Sequence, residues 1–201
     1  MEILSFKLKN KKNSNIFVVE TDMGEYIFHS ETIVKFGLAT GEVDGEKFNL
    51  AKDESDELIA LNCVMKYTAS NIKTEKQIKD YLYKKEFHKP IVEKVVAKLK
   101  EYKVIDDKAY AEMYVKSNPN FSKRKAQQKL SSFGVKRELT DEITELVDDE
   151  ETCLKNAQKF IRGKVMDKKT QDKLIRRLMY LGYNWETIRK VLNNLNIEFE
   201  E

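Results

Sequence analysis

Apolar residues recur every 48 positions through most of this chain. Leu82, Leu130 and Leu178 are spaced by this period, and no gap is needed to keep the register. The same offset joins three further sets, which are Phe87/Val135/Tyr183, Val95/Ile143/Val191 and Leu99/Val147/Leu195. Self-similarity at a fixed period of this length is typical of tandem structural repeats. A unit of this size has little core of its own, so stacked units must bury shared faces.

Three helices are predicted within each unit from the apolar spacing. The first helix is predicted over 55–69, 106–117 and 150–163, the second over 74–85, 122–133 and 167–181, and the third over 89–102, 136–147 and 184–195. Thr74 with Gln77 forms a capping-box pattern. Gly134 and Gly182 follow apolar stripes, where a left-handed residue ends a helix. The predicted repeats are residues 55–102, 103–149 and 150–201.

The N-terminal segment, residues 1–54, has a different pattern. Ile3, Phe6 and Leu8 form a first predicted strand, which a polar turn at 10–15 follows. β-branched and aromatic runs at 16–19 and 26–28 are bounded by Asn, Asp and Gly, which predicts a hairpin or meander. Ser30 is the expected cap of a short helix that Gly37 could end. The predicted fold is therefore mainly α. Three tandem three-helix repeats form an elongated, curved array behind a small β-rich segment.

Charge is distributed unevenly along the chain. Residues 1–57 carry 7 basic and 12 acidic side chains, whereas residues 58–105 carry 11 basic and 5 acidic ones. No apolar run is long enough to span a bilayer. Cys63 and Cys153 are distant from each other and have no metal-ligand neighbours, which favours a reducing cytoplasm. We expect a cytoplasmic monomer that does not bind a membrane.

The sequence carries no pattern typical of an enzyme. The seven glycines never cluster into a phosphate-binding loop. His29 and His88 have no partners at ligand spacing, so no metal site and no cofactor are expected. The neighbouring Asp106 and Asp107 point to different sides of a helix, which favours a helix cap over paired catalytic carboxylates. We expect a protein that binds rather than catalyses.

Basic residues repeat with the fold and are the candidate partner-binding residues. Lys125 and Lys129 lie beside the apolar stripe of the middle unit, and Lys173 and Arg177 occupy the same places one period later. The remaining candidates thicken these two clusters and are Arg124, Lys136, Arg137, Lys168, Lys169 and Arg176. A repeated fold with repeated charge favours a row of cations. The alternative is that these residues are ordinary solvated flanks of amphipathic helices.

Aromatic residues near these clusters are interpreted as core or partly buried packing residues. They are Tyr110, Tyr114, Phe121, Tyr180 and Trp185. As stacking platforms for nucleic-acid bases they are a weak signal.

Several of these residues together resemble the RecX family of recombinase regulators. The resemblance rests on Asp106 and Asp107 before an alanine-and-aromatic helix with Ala109, Tyr110 and Tyr114. The next helix continues it with Leu130 and Gly134. It covers about residues 55–198. Glu86, where a glycine is usual, is a departure.

The resemblance implies a regulator of RecA. Members of the family bind in the groove of the RecA–DNA filament, inhibit ATP hydrolysis and strand exchange, and favour filament disassembly. A RecA filament is thus the expected partner, with weak binding to single- or double-stranded DNA as a further option. Two alternatives stay open: a DNA-binding protein that acts without RecA, and a scaffold between other proteins.

Overall fold

We describe the chain from a computed structural model, which describes residues 1–10 and 13–197. The chain divides into two compact units, Met1–Ile105 and Asp106–Glu201. Part of the predicted turn at 10–15 and the end of the last predicted repeat, residues 198–201, lie outside the described residues. Four strands and ten helices occur in the described ranges, so the mainly helical class with a small N-terminal sheet is confirmed.

The first unit begins with a four-stranded antiparallel sheet. Its strands are β1 (Glu2–Asn10), β2 (Asn13–Thr21), β3 (Gly24–His29) and β4 (Gly41–Glu42), in the order β3-β2-β1-β4. Alternation places Ile3, Val19 and Phe28 in the core beneath the sheet. The strands predicted in the first 29 residues are therefore present, and β4 extends the sheet.

A short helix, α1 (Ser30–Lys35), follows β3 directly. The predicted cap at Ser30 is wrong, because Ser30 is the first helical residue. Nδ1 of His29 accepts the backbone N–H of Glu31 at 3.3 Å and so caps the helix. Gly37, with φ of 56°, follows the helix as expected.

A single long helix, α2 (Gly45–Thr68), joins the sheet to the first helical repeat. It begins at Gly45 rather than at residue 55 as predicted. Its N-terminal half buries Phe48 against the sheet, and its C-terminal half buries Val64 in the next core. Between the two cores, Oγ of the buried Ser55 accepts the backbone N–H of His29 at 2.7 Å. The predicted boundary between residues 54 and 55 therefore lies inside one continuous helix.

Two further helices, α3 (Glu75–Lys84) and α4 (Lys89–Glu101), complete the first unit. The Thr74–Gln77 capping box is present, with both reciprocal hydrogen bonds formed. Ile78, Leu82 and Leu99 are buried together in the core. α3 and α4 agree with the predicted helices to within about one residue at each end.

The second unit contains six helices in the described residues. They are α5 (Asp107–Ser117), α6 (Lys123–Ser132), α7 (Arg137–Thr144), α8 (Asp149–Ile161), α9 (Lys168–Tyr180) and α10 (Trp185–Asn194). α5 to α7 enclose a small core around Leu130, and α8 to α10 enclose a larger one around Leu178.

The turn after the second helix of each repeat has the same geometry in all three copies. Glu86, Gly134 and Gly182 follow one another at the repeat period and have φ of 66°, 88° and 94°. The residue that follows each of them donates its N–H to the buried leucine five positions earlier, at 3.1–3.3 Å. This is the Schellman ending, in which a left-handed residue lets the chain reverse. The first repeat adopts it despite a side chain at Glu86.

The middle repeat has the least apolar core. Thr140 and Thr144 are buried where the third repeat places Ile188 and Leu192. Their hydroxyls donate to the carbonyls of Lys136 and Thr140, at 2.9 and 2.8 Å, so neither is left without a partner. α7 ends at Thr144 and is shorter than α4 and α10.

Candidate partner-binding surface

The first cationic cluster lies on α6. Oγ of Ser122 accepts the N–H of Lys125 at 3.1 Å and so caps the helix. Burial of Ala126 and Leu130 fixes which side of the helix faces the core. Arg124 and Lys129 are consequently exposed, whereas Lys125 is half-buried.

The second cluster lies on α9. Leu174 and Leu178 are fully buried, which turns the cations of the helix to solvent. Asp167 caps the helix by accepting the N–H of Thr170 at 2.8 Å, and its hydrogen bonds to Thr170 lower the pKa of its carboxyl. All five predicted residues of this cluster are exposed: Lys168, Lys169, Lys173, Arg176 and Arg177.

The last turn of α9 contacts the first turn of α6. The backbone N–H of Ser122 donates to the carbonyl of Leu181 at 3.0 Å. Nζ of Lys125 donates to the carbonyl of Tyr180 and lies 3.9 Å from the centroid of its ring. The cations of α9 and those of α6 therefore lie on either side of one contact between two repeats.

Lys125 consequently differs from the other members of the row. Its ammonium group is also 5.3 Å from the centroid of the Phe121 ring. A cation held over two rings and a carbonyl serves packing between repeats. Lys173, its counterpart one period later, is exposed.

Lys136 and Arg137 lie apart from this contact, at the start of α7. Lys136 is the N-terminal cap residue, and its carbonyl accepts the N–H of Thr140. Nε of Arg137 is 3.6 Å from Oδ2 of Asp141, an exposed pair that contributes little. Both side chains are exposed.

The residues that carry the family resemblance form the packing of the middle repeat. Asp106 caps α5, since its Oδ1 accepts the N–H groups of Lys108 and Ala109 at 2.9 Å each. The rings of Tyr110 and Tyr114 meet Phe133 edge-on, with centroids 5.9 and 5.4 Å away. Desolvation raises the pKa of Tyr114. Asp107 is the first residue of α5, and both Asp107 and Ala109 are half-buried. Leu130 is fully buried. Gly134 follows α6 with a positive φ.

Two aromatic residues are more exposed than predicted. Tyr180 is 74% exposed and Trp185 is 42% exposed, so neither is a core residue and only Trp185 is more than half covered. Tyr180 is the last residue of α9 and follows the buried Leu178 by two positions, so its side chain points away from the buried side of the helix. Its ring covers Lys125 instead.

A polar network between the middle and last repeats was not predicted. Oδ1 of Asp149 accepts the backbone N–H of Lys123 at 2.6 Å. The hydroxyl of Tyr183 donates to the carbonyl of Asn120 at 2.9 Å and accepts from Nδ2 of Asn156 at the same distance. These partners are 26 to 63 residues apart, and no local pattern in the sequence indicates their pairing.

Within residues 1–10 and 13–197, no three His, Cys, Asp or Glu side chains are grouped so that they could hold a metal ion. None of the helices in these ranges has the length and apolarity that a bilayer crossing requires.

Comparisons with known proteins agree with this fold. Residues 60–99 match the family model for the first three-helix domain of RecX. A regulatory protein RecX from Clostridium botulinum is 30% identical, and the match covers 98% of this chain and 96% of that protein. The regulatory protein RecX of Clostridium tetani is 29% identical over 93% of this chain and 90% of its own length.

Solved structures show the same architecture. A crystal structure of a regulatory protein RecX matches with a TM-score of 0.64 at 19% identity, covering 96% of this chain and 98% of that chain. These similarities define a helical-repeat regulatory protein with a small N-terminal sheet. The chain belongs to the RecX family.

Proposed function

We propose that this chain binds the RecA–DNA filament in the cytoplasm and lowers the ATPase and strand-exchange activities of RecA. Membership of the RecX family carries the proposal, because its relatives bear the name of a regulatory protein. The exposed cations of α6 and α9 are the proposed contact surface.

The chemistry of this surface suits an extended acidic partner. On α9, Lys169, Lys173 and Arg177 follow one another at four-residue spacing, which spans about 12 Å along the helix. Lys129 lies on α6 one helical turn after Lys125, which contacts the end of α9. Several weak contacts made together with a polymer give avidity without a deep pocket. The division into repeats 55–102, 103–149 and 150–201 belongs to the same proposal.

The test of function is the rate of ATP hydrolysis by RecA on single-stranded DNA. The purified chain is added at stoichiometric amounts, and strand exchange is followed in parallel. We expect both rates to fall. Unchanged rates at saturating protein would defeat the proposal.

The test of the surface is a triple charge reversal, Lys129→Glu, Lys173→Glu and Arg177→Glu. Lys125 is left intact because it packs between repeats. The matched control reverses Lys116, Lys159 and Lys190, which are exposed on α5, α8 and α10 and change the net charge equally. We expect the first variant to lose inhibition and the control to keep it. Equal inhibition by both, with circular dichroism unchanged, would rule out this surface.

Direct binding of single-stranded DNA is the second candidate, favoured by the exposed Tyr180, which follows Arg177 by three residues on α9. Aromatic rings beside cations stack bases and hold phosphates. This function predicts an affinity for DNA without RecA that falls steeply as salt increases. Tyr180→Ala would then weaken DNA binding. If inhibition of RecA survived that change, the filament itself would be the partner.

A further inference from the structure

The first unit contains an open groove of about 860 Å³ that the proposed function does not use. One wall is strand β3, the opposite wall is α2, and the turn between α3 and α4 closes one side. We call it the edge groove, and its apolar lining includes Ile27, Ile59 and Phe87. Its volume falls within the range of roughly 300–1,000 Å³ that is common for ligand clefts.

The backbone of β3 faces this groove. Among the described strands β3 pairs with β2 alone, through six regular antiparallel pairs. The N–H of His29 donates to Ser55 on α2, so it is turned away from β2. Backbone direction alternates along an antiparallel strand, so the N–H and carbonyl groups of Ile27 and Glu25 also point outward. The edge groove thus lies along main-chain donors and acceptors of Glu25 and Ile27 that no described strand pairs with.

The other side of the sheet is protected differently. β1 pairs with β4 only at Glu2 and Ile3, and its ladder with β2 is shifted after Ile3 and again after Leu8. Such irregularities twist an edge and blunt its pairing with other strands. β3 has no shift in its register and no proline. Of the two, β3 is the edge that is ready to accept another strand.

Charged side chains line the groove. On its α2 wall Lys52 and Asp56 pair with each other, and Asp53 adds a negative charge. Glu25 lines the end near the start of β3 and is exposed. Lys9 belongs to β1, two strands away from β3, and lines the groove together with Ile16 of β2, which pairs with His29. Glu25 and His29 are four residues apart along β3, or about 13 Å. An occupant paired with β3 that complements Glu25 carries a basic side chain opposite it and an apolar one beside Ile27, and an acidic side chain four residues from the basic one lies on the side of Lys9.

We propose that the edge groove binds an extended segment of a partner protein, which adds a strand to β3. Main-chain hydrogen bonds to Glu25 and Ile27 would hold the segment, and the groove would select its side chains. Strand addition of this kind derives affinity from the backbone and specificity from alternate side chains. The site lies in the first unit and is independent of the cations on α6 and α9.

Blocked synthetic peptides serve as the probe, with the full-length chain followed by nuclear magnetic resonance. Two peptides are used, one for each direction in which the added strand could run. Their sequences are Thr-Lys-Thr-Ile-Thr-Glu-Thr and Thr-Glu-Thr-Ile-Thr-Lys-Thr. We expect one of them to bind. When about 90% of the protein carries bound peptide, hydrogen exchange of the Glu25 and Ile27 backbone amides should slow about tenfold. The amide of Tyr26, which faces β2, should not change.

Methylation of alternate peptide nitrogens distinguishes strand addition from other binding. One set of positions faces β3 and the other faces solvent, so only one methylated form should lose affinity. In the protein, Glu25→Lys should lower the affinity for the peptide by about threefold to tenfold. Glu31→Lys, an equal charge change on α1, should have no effect. No binding at millimolar peptide, binding without slowed exchange, or equal sensitivity to both methylated forms would overturn the proposal.

Discussion

Replacing Gly182 by alanine tests the contact between the middle and last repeats. Gly182 has φ of 94°, where an L side chain costs about 1–2 kcal/mol. An added Cβ would lie 2.5 Å from Oγ of Ser122 and 2.6 Å from Cβ of Lys125. Oγ of Ser122 is held by its capping hydrogen bond to Lys125, and Cβ of Lys125 is fixed to the backbone. The two helices must therefore separate, which costs a further 1–3 kcal/mol or so. We expect Gly182→Ala to lower the free energy of unfolding of the second unit by about 2–5 kcal/mol.

Trp185 makes the measurement specific, because it is the single tryptophan of the chain and belongs to the second unit. Urea unfolding followed by its fluorescence reports that unit. Gly163→Ala is the matched control, since Gly163 has φ of 72° but an added Cβ would meet nothing within 4 Å. It should cost only the backbone strain of about 1–2 kcal/mol. Equal losses in the two variants would refute the close approach of α6 to the end of α9.

Four further predictions concern single positions. Lys125→Ala should destabilise the second unit by about 0.5–2 kcal/mol in the same urea assay, because it removes two ring contacts and a hydrogen bond. Lys129→Ala, the control, should leave the stability unchanged. Glu86→Gly should stabilise the first unit by up to ~1 kcal/mol, measured by urea unfolding followed by circular dichroism, since it relieves the left-handed residue; a loss of stability would contradict this. Burial raises the pKa of the Cys153 thiol to about 12, so iodoacetamide at pH 8.5 should label Cys63 and spare Cys153. Because that thiol ionises more readily when unfolded, stability should fall as pH rises between about 9 and 12, and Cys153→Ala should flatten this dependence.

Periodicity predicted the second and third helices of each repeat because their ends carry local signals. Thr74, Ser122 and Asn184 cap their helices through their own side chains. Glu86, Gly134 and Gly182 end the second helices in one shared geometry. Such features depend on neighbours within a few residues, so a sequence displays them.

The start of α2 could not be predicted in the same way. The face that carries Phe48 meets the sheet, whereas the face that carries Val64 meets α3 and α4. A helix whose buried side changes partway has no single apolar stripe, so its periodic signal is weak. The sequence therefore indicated only the C-terminal part.

The candidate partner-binding surface also has features that the sequence predicts and features that it does not. Exposure of Lys173 and Arg177 follows from the buried leucines beside them, and the sequence predicts it. The position of Lys125 depends on Tyr180, which is 55 residues away. The network of Asn120, Asn156 and Tyr183 has the same long-range origin. Contacts of this kind require the folded chain.

Lysine footprinting on assembled RecA–DNA filaments tests the proposed surface most directly. The bound chain is treated briefly with an acetylating reagent, and each lysine is quantified by mass spectrometry. We expect Lys129, Lys169 and Lys173 to become protected and Lys116 and Lys159 to stay reactive. Filament binding that leaves Lys129, Lys169 and Lys173 fully reactive would contradict the assignment of α6 and α9 as the contact.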